Sequence, residues 1–235
     1  MPVILTGMVH KQRGNILFLI LLAIILFAAL SFVVTNDQRG QDKNASSERV
    51  RTLAAQMVEN ASLMENTMQR AMLVNNIPEY GFNFSGEQSN SNTNYTCTST
   101  ACQIFTTNGG PVPPLRLPDW ASADTTMTDS RRKVWIQLWS VVGVGTDAPD
   151  LLVDYGFVTQ ELCKAINVAV GAENFNIVST DAFQPGELQY SGTITAIPAA
   201  TAVIGETLPA IIGRRSLCIN TGSKGYNFYH VILAR

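Results

Sequence analysis

Residues 16–34 are almost entirely Leu, Ile, Phe, Ala and Val, and no charged residue occurs between Asn15 and Asn36. At ~1.5 Å rise per residue, about 20 such residues match a hydrocarbon core ~30 Å thick, so this stretch is predicted to be one membrane-spanning helix. A polar elbow, residues 35–47, follows it. The spacing then changes. Val50, Leu53, Ala54, Met57, Val58, Ala61, Met64, Met68, Ala71 and Met72 recur at three-and-four intervals, while Arg49, Arg51, Glu59, Glu65 and Arg70 fall on the other faces. That is the signature of an amphipathic helix over residues 48–74, with Ser46 or Ser47 as its cap and Glu48 at the positive end of its dipole. Asn75, Asn76 and Pro78 end it. A methionine-rich stripe of this kind serves as a core face or as a binding groove; the expectation here is a core face lying on a sheet.

Beyond Glu79 the periodicity is lost. Residues 79–110 are rich in Asn, Ser, Thr and Gly, and the Gly-Gly-Pro-Val-Pro-Pro run from Gly109 forms a stiff extended connector. Strand-forming residues then cluster at 134–141, with Trp135, Gln137 and Trp139 on one face, and again at 151–158. Residues 159–170 read as a short helix capped by Thr159, with Leu162, Cys163, Ile166 and Val170 inward and Gly171 as its stop. Further strands are expected at 175–178, 188–197 and 226–233, with a turn at Gln184-Pro185-Gly186. The alanine-rich stretch 196–212 fits no single element. The order of elements is that of an α+β domain in which a long N-terminal helix packs on an antiparallel β-sheet.

Composition refines this picture in three ways. Hydrophobic residues make up 46% of the chain and charged ones 14%, an imbalance that residues 16–34 account for. His10, Lys11 and Arg13 precede the apolar run and no acid occurs before Asp37, so the positive flank stays inside and the bulk of the chain is translocated. The four cysteines lie outside the apolar run. Cys97 and Cys102 are spaced for a small disulfide loop, and Cys163 with Cys218 would then tie two distant segments; free thiols are the alternative. A zinc site is disfavoured by the absence of any Cys-x-x-Cys pair.

The junction Lys11-Gln12-Arg13-Gly14 followed by Asn15-Ile16-Leu17-Phe18-Leu19-Ile20-Leu21 resembles that of the type IV pilins and pseudopilins. The resemblance implies a leader 1–14 ending in Gly14, a transmembrane helix 15–36, an elbow and amphipathic helix 37–78 and a globular α+β domain 79–235. It implies cleavage between Gly14 and Asn15 by a prepilin peptidase, and a pilin-like fold whose first half spans the membrane. Family members that build the filament shaft begin the mature chain with Phe or Met and carry Glu at its fifth position. This sequence has Asn15 and Leu19 there. A carboxylate in hydrocarbon needs a partner, and minor pseudopilins at the tip have no earlier subunit to provide one. The resemblance therefore implies a structural minor pilin or pseudopilin. Its partners are other pilin or pseudopilin subunits and the inner membrane, its domain lies in the periplasm or in an extracellular filament, and no cofactor is involved.

Other readings remain open. The first segment is alternatively a plain signal-anchor, or a signal peptide cut near Ala29-Leu30-Ser31, which would make the chain a periplasmic binding or scaffold protein. An enzyme is not expected: no Gly-x-Ser-x-Gly, phosphate loop or dinucleotide fingerprint is present, and histidine chemistry falls to His230 in an alternating, strand-like run. Asp147, Asp150 and Asp154 lack the spacing of a calcium loop. The basic clusters Arg131-Arg132-Lys133 and Arg214-Arg215 lack interleaved aromatics, so no nucleic acid is expected. Mass spectrometry of the mature N-terminus separates the readings of the first segment. Asn15 is the expected first residue, and Gly14→Phe is expected to leave an uncut precursor. A start at Met1 or near Phe32 would contradict processing at Gly14.

Overall fold

The computed structural model describes residues 16–85, 97, 99–126, 128, 132–172, 183, 188–192, 203–206, 209–222 and 225–235. The chain forms two compact units, Met1–Ser47 and Glu48–Arg235. Helix α1, Ile16–Asn75, contributes residues to both. Residues 35–47, expected to form an elbow, are helical within α1. They contain no proline and a single glycine, so nothing in them breaks a helix already under way.

The membrane-spanning first half expected of a pilin-like fold is not found. Among the described residues no helix is long and apolar enough to cross a membrane. The sheet also departs from expectation. Its strands are β1 (Trp135–Val141), β2 (Asp150–Val158), β3 (Val203–Ile204), β4 (Ser216–Asn220) and β5 (Tyr226–Leu233), in the order β3-β1-β2-β5-β4. Four strands run antiparallel to their neighbours, but β3 lies parallel to β1, so the sheet is mixed. The parallel strand comes from the alanine-rich stretch whose broken pattern matched no element.

Within the second unit, one face of the sheet receives α1. Met57, Ala61, Met64 and Met68 are fully buried among Ile136, Leu138, Leu151, Val153, Tyr155 and Phe228. The stripe is thus a core face, and Met72 and Val50 pack at its margins. Asn60 lies inside this contact and is fully engaged: its Nδ2 donates to the Pro113 carbonyl at 2.8 Å and its Oδ1 accepts from the Tyr155 hydroxyl at 2.9 Å. Helix α2, Gln160–Ala169, starts at Thr159, whose Oγ1 accepts from the Leu162 N–H, and stops at Gly171 with φ of 72°. It packs on β4, where Asn167 donates to the Cys218 carbonyl and accepts from the Cys218 N–H, covering the strand's outer edge at that one residue. Two disulfides are present, Cys97–Cys102 and Cys163–Cys218. The second joins α2 to β4 across 55 residues, which in the chain-entropy model stabilises the fold by about 4 kcal/mol.

The opposite face of the sheet carries a second cluster, in which Trp139, Leu152, Tyr229 and Val231 meet Phe183, Ile204 and Ile211. Of the strands expected at 188–197, the described part contributes a single bridge, Gln189 to Gln137. The expected strand at 175–178 and the turn at 184–186 lie outside the described residues.

Placing a charge under the helix tests the core-face assignment. Met64→Asp is expected to lower stability by about 3–5 kcal/mol, because it leaves a void and an unpaired buried carboxylate. Arg51→Ala removes one member of an exposed i,i+3 pair with Glu48 and is expected to cost less than about 0.5 kcal/mol. Thermal unfolding of both variants checks the contrast; equal melting would place the stripe in solvent.

Candidate functional site

In the first unit, the side chains of Phe18, Leu19, Ile20, Leu21, Leu22, Ile24, Ile25, Leu26 and Phe27 are all exposed, Phe27 at 75%. A helix that is apolar on every side is stable in water only when something covers it. Each of these side chains contributes roughly 1.5–3 kcal/mol on burial, so the stretch carries a strong drive toward association. The residues of the implied processing site, Gly14 and Asn15, lie outside the described residues.

In the second unit, Glu65, Arg215, Ser216 and His230 form a polar cluster between α1 and the edge of the sheet. His230 and Ser216 are direct cross-strand partners on β5 and β4. The Ser216 hydroxyl donates to His230 Nδ1, and His230 Nε2–H donates to Glu65 Oε2 at 3.0 Å. Glu65 Oε1 accepts from the Arg215 guanidinium at 2.7 Å, and Arg215 also donates to the Val231 carbonyl. Glu65, expected on a solvated face of the helix, is therefore the point at which α1 is fastened to two strands. His230, expected on the sheet surface, is buried beneath α1. Burial lowers the pKa of His230, and Arg215 lowers it further, against the raising effect of Glu65. The ring is neutral at pH 7, and the stability tied to it is present above its ordinary value of 6.5 and lost as pH falls. Sequence reading missed this cluster because its members lie 14 and 165 residues apart; the register of β4 on β5 pairs Ser216 with His230, and the packing of α1 on the sheet adds Glu65.

The three aspartates do not converge on a common point. Asp150 accepts from the Val141 and Arg235 backbone N–H groups. Asp154, four residues further along the same strand, is fully buried and accepts from Gln137 at 3.0 Å. Both carboxyls are raised in pKa chiefly by burial, Asp154 strongly so. The basic clusters are also engaged within the fold: Arg132 pairs with Asp119, and Arg214 donates to the Ala210 carbonyl. A separate groove of ≈ 540 Å³ runs between α1 and the connector, lined by Leu53, Gln56, Leu115, Pro118 and a half-exposed Trp120.

No family model matches the chain, and neither does any curated protein or solved structure.

Asp154 gives a signed pH prediction. Its folded pKa is raised, so the stability it contributes is fully present below the ordinary value of 3.8 and is lost as pH rises through the folded value. Asp154→Asn is therefore expected to stabilise the protein at pH 7, with the gain vanishing below pH 3.8. Denaturant titrations at pH 7 and pH 3 check this; a gain that grows toward acid contradicts it.

Proposed function

We propose that the chain is a structural subunit, a minor pilin or pseudopilin, that joins a larger assembly through residues 18–27 of α1. The observation that carries this reading is the run of exposed apolar side chains from Phe18 to Phe27 in a chain whose second unit has a core of its own. A domain with two buried clusters and two disulfides has no need of those side chains for its own stability. They are available to meet the corresponding helices of other subunits, after a period sheltered at the inner membrane. The disulfides favour an oxidising compartment such as the periplasm or the cell exterior. The basic leader and Gly14 favour release by a prepilin peptidase.

A second reading, a periplasmic binding protein, is favoured by the groove at Trp120, since a half-exposed indole between apolar and amide side chains is a common contact surface. The two readings divide at Phe27. In chemical cross-linking of the full-length chain with its co-expressed subunits, Phe27→Asp is expected to weaken association about thirtyfold or more, the effect of losing a buried aromatic anchor. Association like that of the wild type would remove the basis of the assembly reading and leave the binding reading standing.

A further inference from the structure

We propose that Ser216, His230 and Glu65 form a nucleophilic site that cleaves carboxylic esters by acyl transfer to Ser216. The argument begins with connectivity. A serine hydroxyl donates to one ring nitrogen of a histidine, and the other ring nitrogen donates to a carboxylate. Nucleophile, base and orienting group are thus joined in one chain of hydrogen bonds, and such a constellation is recognised by these roles and not by sequence order. Glu65 is itself held by Arg215, so the orienting carboxylate is fixed in place and the imidazole is fixed in turn.

Strand geometry adds the part that a serine–histidine pair alone lacks. β4 is the last strand of the sheet. The Val231 N–H bonds to the Arg215 carbonyl, and the Cys218 N–H and C=O turn away from β5 to Asn167. Backbone groups alternate along an antiparallel strand, so Ser216 shares the outward side with Cys218. Its N–H points to the outer edge of the sheet, beside its own Oγ, where it serves as a donor to an oxyanion. Ser216 itself is half-buried and not closed off, so this edge is reached from solvent.

The step balances. Ser216 Oγ bonds to the ester carbonyl carbon while its proton passes to His230 Nδ1, and the carbonyl oxygen becomes an oxyanion. The imidazolium keeps its Nε2–H on Glu65. Collapse breaks the carbon–alkoxide bond, and the leaving group takes the Nδ1 proton and departs as an alcohol. Water then attacks the acyl-serine, gives a proton to Nδ1, and the acid leaves as the proton returns to Ser216. A buried, neutral imidazole is the protonation state this needs at pH 7.

The full-length protein, incubated with a fluorophosphonate probe and digested under non-reducing conditions, tests the site directly. Labelling of Ser216 is expected, together with hydrolysis of p-nitrophenyl acetate that falls about a thousandfold in Ser216→Ala. The rate is expected to rise with pH to a plateau whose midpoint lies below 6.5. Glu65→Gln, a change at the positioning residue, is expected to move that midpoint lower, since Glu65 raises the pKa of the ring. The proposal is overturned if the folded wild-type chain leaves Ser216 unlabelled, or if Ser216→Ala hydrolyses the ester as fast as wild type. Neither readout depends on residues 18–27, so the outcome is separate from that of the assembly reading.

Discussion

The contact between the inward stripe of α1 and one face of the sheet is the constraint on which the second unit depends. Met57, Met64 and Met68 each have no exposed surface and share one buried cluster with side chains of β1, β2 and β5. At about 1.5–3 kcal/mol per buried methionine, this stripe alone outweighs any single hydrogen bond in the molecule. It also decides where the polar groups sit. Because Met64 is driven inward, Glu65 is carried to the margin of the contact, where His230 and Arg215 complete it. Because Ala61 and Met57 are inward, Asn60 is carried under the connector and must find both Pro113 and Tyr155. Apolar burial sets the position, and the polar partners then fix the register of helix on sheet.

The same sheet tolerates groups that work against stability. Asp154 sits in a dry environment with the Gln137 amide as its partner, and burial favours its protonated form. The Cys163–Cys218 bridge offsets such penalties by restricting the unfolded chain, and Asn167 seals the edge that the bridge brings against α2. A rigid edge held in this way presents Ser216 in a fixed orientation, which a mobile loop would not do. The first unit has the opposite character: its apolar side chains from Phe18 to Phe27 are exposed.

Periodicity made much of the architecture readable. The three-and-four spacing from Val50 to Met72 located the core face of α1, runs of strand-forming residues located β1 and β2, and alternation located β5 with the ends Tyr226 and Leu233. Thr159 and Gly171 gave both ends of α2 because a cap and a left-handed stop are local chemistry. Pairing across long separations was not readable. β3 has two residues, too few to alternate, and its parallel partner is set by tertiary contacts. The apolar run was read as a span, and among the described residues no helix is long and apolar enough to cross a membrane; residue type records hydrophobicity and leaves open what covers it. Glu65 and His230 were misplaced for a related reason: each looks solvated on its own element, and only the helix–sheet contact joins them. The polar cluster is therefore set by strand register and helix packing, where sequence reading has least purchase.

Native-state hydrogen exchange across the full-length protein tests the central contact most directly. If the stripe of α1 and the sheet form one cooperative core, amides of residues 53–71 open with the same free energy as those of β2 and β5, close to that of global unfolding. Exchange of residues 53–71 with an opening free energy below about 2 kcal/mol, while the sheet stays protected, would show that the helix is only loosely applied, and the account of the fold and of its Glu65–His230 fastening would not stand.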